Sequence, residues 1–96
     1  MHDTFRVEYY KGYIQNVIDG VTIDGINCKG YFGWSLMDNF EWADGYSTRF
    51  GMTYVDYVDN QKRYIKDSLM WYSAFTRSGN INAPFQSPYT EGFFKE

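Results

Sequence analysis

The sequence predicts an α/β chain that is incomplete as a domain. Three observations lead there: an amphipathic helical pattern near the start, a short glycine-containing apolar run that reads as a strand buried on both faces, and a second helix beyond a long aromatic loop. One buried strand cannot make a sheet. It needs hydrogen-bond partners on both edges, so the pattern reads as the tail end of an alternating β and α series whose other strands lie elsewhere.

From Asp3 to Asp19 the apolar residues Val7, Tyr10, Ile14, Val17 and Ile18 recur at helical spacing, with Asp3 or Thr4 as a cap and Gly20 as a stop. After the turn-rich DGVTIDG comes NCKGYFGWSLM, the expected strand, in which Gly30 and Gly33 mark close packing. The stretch from Asp38 to Phe50 is too long for a tight turn and too rich in large rings for an idle linker. MTYVDYV then reads as an exposed strand ending at the Asp59-Asn60 turn. A helix follows from about Lys66 to Arg77, with Leu69, Met70, Tyr72 and Ser73 toward one side and Gly79 as its end. Residues 1–79 form the structured segment, and residues 80–96 an extended tail packed by Phe85, Phe93 and Phe94.

The aromatic content of 22% excludes a mostly disordered chain, and 96 residues permit a modest core. The net charge of -3 with scattered Lys and Arg leaves no basic footprint for nucleic acid or an anionic membrane surface. No apolar run approaches the ~20 residues of a membrane span. The start of the chain lacks the regions of a signal peptide, which would sit on whatever precedes it; Met1 reads equally well as an internal residue. Cys28, the single cysteine, has no internal partner and reads as a small buried hydrophobe; His2 is the single histidine, and nothing has metal-ligand spacing.

Chemistry concentrates in GYFGWSLMDNFEWADGYSTRFG, residues 30–51. Two tryptophans beside a carboxylate and an amide suit a sugar, whose C–H faces lie on an indole while its hydroxyls donate to an ionised carboxylate. Taken alone, Trp34 and Trp42 read rather as core aromatics, and Glu41 by default as a solvated loop charge. Arg49, Asp38 and Asn39 read as structural, with Arg49 pairing Asp44 or Asp38 to hold the loop as a surface ion pair worth about 0 to 1 kcal/mol.

The string WSLMDNFEWADGYSTRFGMTYVD resembles the stretch WS-L-x-DNFEW followed by G-Y-x-x-R-F/Y-G of the β-glucosidase family, family 1 of the glycoside hydrolases. The resemblance extends through DTFRVEYYKGYI upstream and KRYIKDSLMWY downstream, covering Asp3 to Phe75, and the DNFEWADGY loop is phrased like that of animal, especially insect, members. It implies a (β/α)₈ barrel, of which this chain supplies the last helix of unit seven, strand eight, the active-site loop and helix eight. It implies retaining hydrolysis of β-glycosides, a small-molecule β-glycoside as partner, and no cofactor or metal. Glu41 is implied as the acceptor for the hydroxyls at carbons four and six, Trp42 as the donor to that at carbon three, and Trp34 as the stacking floor. Phe50 matches an aromatic position near the sugar that is Tyr in some relatives, and Ala43 and Asp44 line the leaving-group entrance. Many relatives have Pro at Ile65.

No residue here is expected to cleave the bond. The family's two catalytic carboxyls sit in N-E-P and T-E-N-G type motifs on earlier strands, and neither string occurs in this chain. Two readings of different class follow: an enzyme fragment that is inert alone, or a carbohydrate-binding or interaction module that kept a sugar subsite.

Overall fold

The computed structural model describes residues 1–88. Two helices, α1 (Thr4–Thr22) and α2 (Asp67–Ser78), flank a two-stranded antiparallel hairpin of β1 (Thr53–Asp56) and β2 (Lys62–Ile65), with a 3₁₀ turn at Trp42–Asp44. The helical period places Val7, Tyr10 and Ile14 of α1 against Trp71 of α2, and Met52 closes the core between them. Trp71 is wholly buried, stacked on Phe75 at 5.5 Å, and its indole N–H donates to the Ile81 carbonyl at 3.1 Å. Burial of so large a side chain contributes at most about 4 to 6 kcal/mol. The face expected from Leu69, Met70, Tyr72 and Ser73 is therefore rotated: those four are partly buried, and Trp71 between them points inward.

The ends of the helices differ from expectation in an instructive way. Asp3 sits at the N-cap of α1, but its side chain accepts from no backbone amide of that helix. Its buried carboxylate instead accepts from the Ser68 amide (2.9 Å), the Ser68 hydroxyl (2.6 Å) and Arg6 (2.8 Å), so it caps α2 from across the molecule. α1 also continues two residues past Gly20, which is a close-packing position: an added Cβ would lie 3.2 Å from Ile26. The reversal falls at Gly25, in the left-handed region at φ 70°. α2 does end as expected, at left-handed Gly79, whose amide bonds the Phe75 carbonyl at 2.7 Å.

The strand expected at residues 30–35 corrects the sequence reading. The segment is extended with alternating burial, but it has no strand partner among the described residues, and only one face is covered. Tyr31, Gly33 and Ser35 turn toward the helices; Phe32, Trp34 and Leu36 are 97%, 63% and 59% exposed. Backbone groups without a ladder satisfy no strand criterion, whatever the side chains. Gly33 is closely packed, since an added Cβ would meet the Tyr10 ring at 3.2 Å, whereas Gly30 has open space. Cys28, expected buried, is exposed and lies at an open groove of about 420 Å³ between the helices, lined in part by Ile14, Ile18, Tyr72 and Phe75.

β1 is half-buried rather than exposed, with Thr53 and Val55 inward, and pairs with β2 in the register Thr53↔Ile65 to Asp56↔Lys62. The Asp56 carboxylate accepts from the Val58 and Asp59 amides at 3.1 Å, and Asn60 and Gln61 take positive φ, which turns the chain back. β2 went unread because KRYI is polar and mostly exposed, so it has no apolar alternation to betray it. In the tail Ala83 is buried and Phe85 is 37% exposed, less packed than expected; Phe93 and Phe94 lie outside the described residues. Among the described residues no helix is long and apolar enough to cross a membrane.

Candidate sugar-binding site

The loop from Trp34 to Phe50 is closed at its neck by main-chain bonds. Ser35 N–H donates to the Phe50 carbonyl (3.2 Å), Met52 N–H to that of Ser35 (2.9 Å), and Asp38 N–H to that of Thr53 (3.0 Å). Gly51 makes this closeness possible, because a Cβ there would fall onto the main chain of Met37 and Asp38. In the full-length polypeptide Gly51→Ala is therefore expected to destabilise by about 3 kcal/mol or more, read as a lowered thermal midpoint; an unchanged melt would contradict the packing of the neck.

Asp38 is the hub of the loop. Its fully buried carboxylate accepts from Arg49 (2.6 Å), Lys66 (3.4 Å) and the amides of Gly51 (3.1 Å) and Val55 (3.2 Å). Arg49 thus pairs with Asp38, one of the two expected partners, but the pair is buried on its acid side rather than a surface one. Arg49 also donates to the Val55 carbonyl and lies over the Tyr54 and Tyr57 rings at 4.4 and 4.5 Å. Asn39 serves the loop too, donating to Ser35 Oγ and the Met37 carbonyl. Burial pushes the Lys66 amine below its ordinary range, against the opposing pull of Asp38. Tyr57 is pushed up, first by burial and then by Asp38, and its hydroxyl is buried with no bonding partner among the described residues. Sequence reasoning missed Lys66 and Tyr57; a lysine just before a helix reads as a solvated charge.

The expected site residues sit on this scaffold. Glu41 is buried at 7% exposure, and the Trp34 indole N–H donates to both of its carboxylate oxygens at 3.2 Å. The backbone of Glu41 is held by its own amide on the Gly45 carbonyl (2.7 Å) and by the Asp44 amide on its carbonyl (3.0 Å). Trp42 follows at φ 51°, 84% exposed, and Ala43 and Asp44 complete the turn on the surface. Phe50 is 45% exposed at the neck. Behind the turn Phe40, Tyr46 and Tyr57 form an edge-to-face series at 5.2 and 4.8 Å. The structure joins Trp34 to Glu41 directly. Asp44 reaches Glu41 through its main-chain amide, and Phe50 meets the neighbouring Ser35 amide through its main-chain carbonyl. No cluster of three or more metal-ligating side chains occurs among the described residues.

Comparison with known proteins bears on this arrangement. Residues 1–81 match the family described as Glycosyl hydrolase family 1. The chain is 49% identical over 79 residues to beta-glucosidase 30 of Arabidopsis thaliana, covering 82% of this chain and 14% of that protein. It is 62% identical over 68 residues to beta-glucosidase 1B of Phanerodontia chrysosporium, covering 71% of this chain and 12% of that protein. The crystal structure of rice Os3BGlu6 beta-glucosidase superposes with a TM-score of 0.75 at 49% identity, over 76% of this chain and 15% of that one. The chain therefore spans only about a seventh of the length of such relatives. Their shared fold is the TIM barrel. With more than four-fifths of its residues matched, the chain belongs to family 1 of the glycosyl hydrolases.

Proposed function

We propose that the chain is the part of a retaining β-glycosidase, β-glucosidase-like, that reads the glycone, and that it works within a longer polypeptide forming the rest of the barrel. The observation that carries this is the Glu41 carboxylate, buried yet bonded by the indole N–H of the exposed Trp34, with the exposed Trp42 next to it in the chain. An indole face offers a platform for the C–H face of a pyranose, and the adjacent carboxylate takes the hydroxyls at its rim. Glu41, Trp42, Trp34 and Phe50 bind the non-reducing sugar, with Ala43 and Asp44 at the leaving-group side. Cleavage falls to two carboxyls ~5 to 5.5 Å apart that this chain does not carry. Phe50 has no hydroxyl with which to bond a catalytic carboxylate, so any such contact comes from another residue.

The module reading is weaker. A self-sufficient binding module has little use for exposed Phe32 and Leu36 on a segment without strand partners among the described residues. The purified chain, assayed with a chromogenic β-glucoside beside a denatured control, is expected to show no turnover. A polypeptide that carries N-E-P and T-E-N-G type motifs upstream in the same frame is expected to hydrolyse it with retention. Turnover by the chain alone that disappears on Glu41→Gln overturns the assignment. A sharp two-state melt of the monomeric chain, with glucoside binding and no turnover, supports the module instead.

A further inference from the structure

The peptide unit that follows Trp34 is gripped at both ends. Its carbonyl accepts the Tyr10 hydroxyl at 2.9 Å, and its N–H, that of Ser35, donates to the Phe50 carbonyl at 3.2 Å. Tyr10 itself is fixed: it is 3% exposed on α1, packed edge-to-face on Tyr31 and Tyr72 at 6.5 and 6.1 Å. Trp34 in turn reaches Glu41 with an N–H shared evenly between the two oxygens, both at 3.2 Å. A single donor centred on both oxygens restrains the plane of a carboxylate that has a flexible stem. A continuous path of hydrogen bonds thus runs from the helical core, through the Tyr10 hydroxyl and the Trp34 backbone and indole, to Glu41.

We infer that Tyr10 is a positioning residue for the sugar site, acting through Trp34 to hold the Glu41 carboxylate in the orientation that meets the glycone hydroxyls. The inference rests on the role proposed above for Glu41. Tyr10 touches no sugar. It aligns the main chain from which the indole projects, and the indole edge aligns the carboxylate while the indole face stays exposed. A small misplacement of an acceptor weakens directional hydrogen bonds far more than it weakens stacking. Loss of the Tyr10 hydroxyl should therefore be felt most by substrates that use Glu41 most.

The test is Tyr10→Phe in the full-length polypeptide, which keeps the ring and its packing. One hydrogen bond of ordinary net strength corresponds to a loss of about five-fold in kcat/KM on a β-glucoside; a β-xyloside, lacking the carbon-six hydroxyl, should lose less than about two-fold. The Trp34 indole N–H resonance in a ¹⁵N-labelled sample should move in Tyr10→Phe, and more in Glu41→Gln. A second variant removes only the N–H, by replacing the Trp34 indole with its benzothiophene analogue; it should reproduce the same discrimination with Tyr10 intact. Equal losses on both substrates, or an indole resonance that Tyr10→Phe leaves unmoved, overturn the inference. If the polypeptide binds no β-glycoside, the proposed function fails, and the resonance alone then decides whether Tyr10 positions Glu41.

Discussion

Asp38→Ala in the full-length polypeptide is expected to destabilise the fold by about 3 to 5 kcal/mol, the usual result of removing one side of a buried charge network. The carboxylate has no exposure, and its loss strands Lys66 and Arg49 together with the amides of Gly51 and Val55. Lys66 is the worse placed of the two cations, with a side chain only 7% exposed and an amine already lowered by burial. Without Asp38 that amine goes lower still, because the opposing attraction is gone while Arg6 remains. The sign of the pH dependence follows. A lysine whose folded value lies below its unfolded value of 10.5 destabilises fully at pH below the folded value, and the penalty lifts as pH rises through that value toward 10.5. The gap between Asp38→Ala and the parent should thus narrow between neutral pH and about pH 10. Tyr10 and Tyr31, pushed up mainly by burial, lower stability above pH 10 in both proteins alike, whereas Tyr57 is raised by burial and also by Asp38, so its penalty is smaller in the variant and narrows the gap further. Chemical denaturation of both proteins across this range is the measurement; an equally stable variant at neutral pH, or a gap that widens with pH, contradicts the account.

Glu41→Ala in the full-length polypeptide is expected to lower kcat/KM on a β-glucoside by roughly 10 to 10⁴-fold, for one or two charged hydrogen bonds lost at about 1.5 to 3 kcal/mol each. The residue takes no part in proton transfer, so chemistry is slowed without being abolished. A β-xyloside should lose less, since part of the contact is already missing from it. A nucleophile behaves differently, failing on every substrate and recovering with a small anion. Rescue by azide, or an equal loss on both sugars, would falsify the sugar-reading role.

What was legible in the sequence was local. The α1 face of Val7, Tyr10 and Ile14 and the stop at Gly79 follow from helical period and from glycine at a left-handed position, both set by a few neighbouring residues. The site string from Trp34 to Trp42 was legible for another reason: its aromatic and acidic residues are contiguous. The rest depended on partners distant in the chain. Asp3 looked like the cap of the helix it precedes, and only tertiary packing brings its carboxylate to the Ser68 amide in place of the amides of its own first turn. Lys66 is buried because Asp38, 28 residues away, lies beside it. Trp71 displaces the expected apolar face because period alone does not say which of several adjacent large side chains points inward. The strand at residues 30–35 failed in the most physical way: its residue types were legible, but a strand is a relation between neighbours, and its neighbours are not among the described residues.

The contact between Asp3 and Ser68 also bears on the order in which the molecule assembles. Those residues are 65 positions apart, and the same separation joins His2 to Asp67 at 2.7 Å. Closing so large a loop is entropically uphill until many other contacts are in place. Helical turns form within about a microsecond from local bonds alone. The first turn of α2 therefore receives its distant carboxylate only after α1 and the hairpin have gathered the intervening chain.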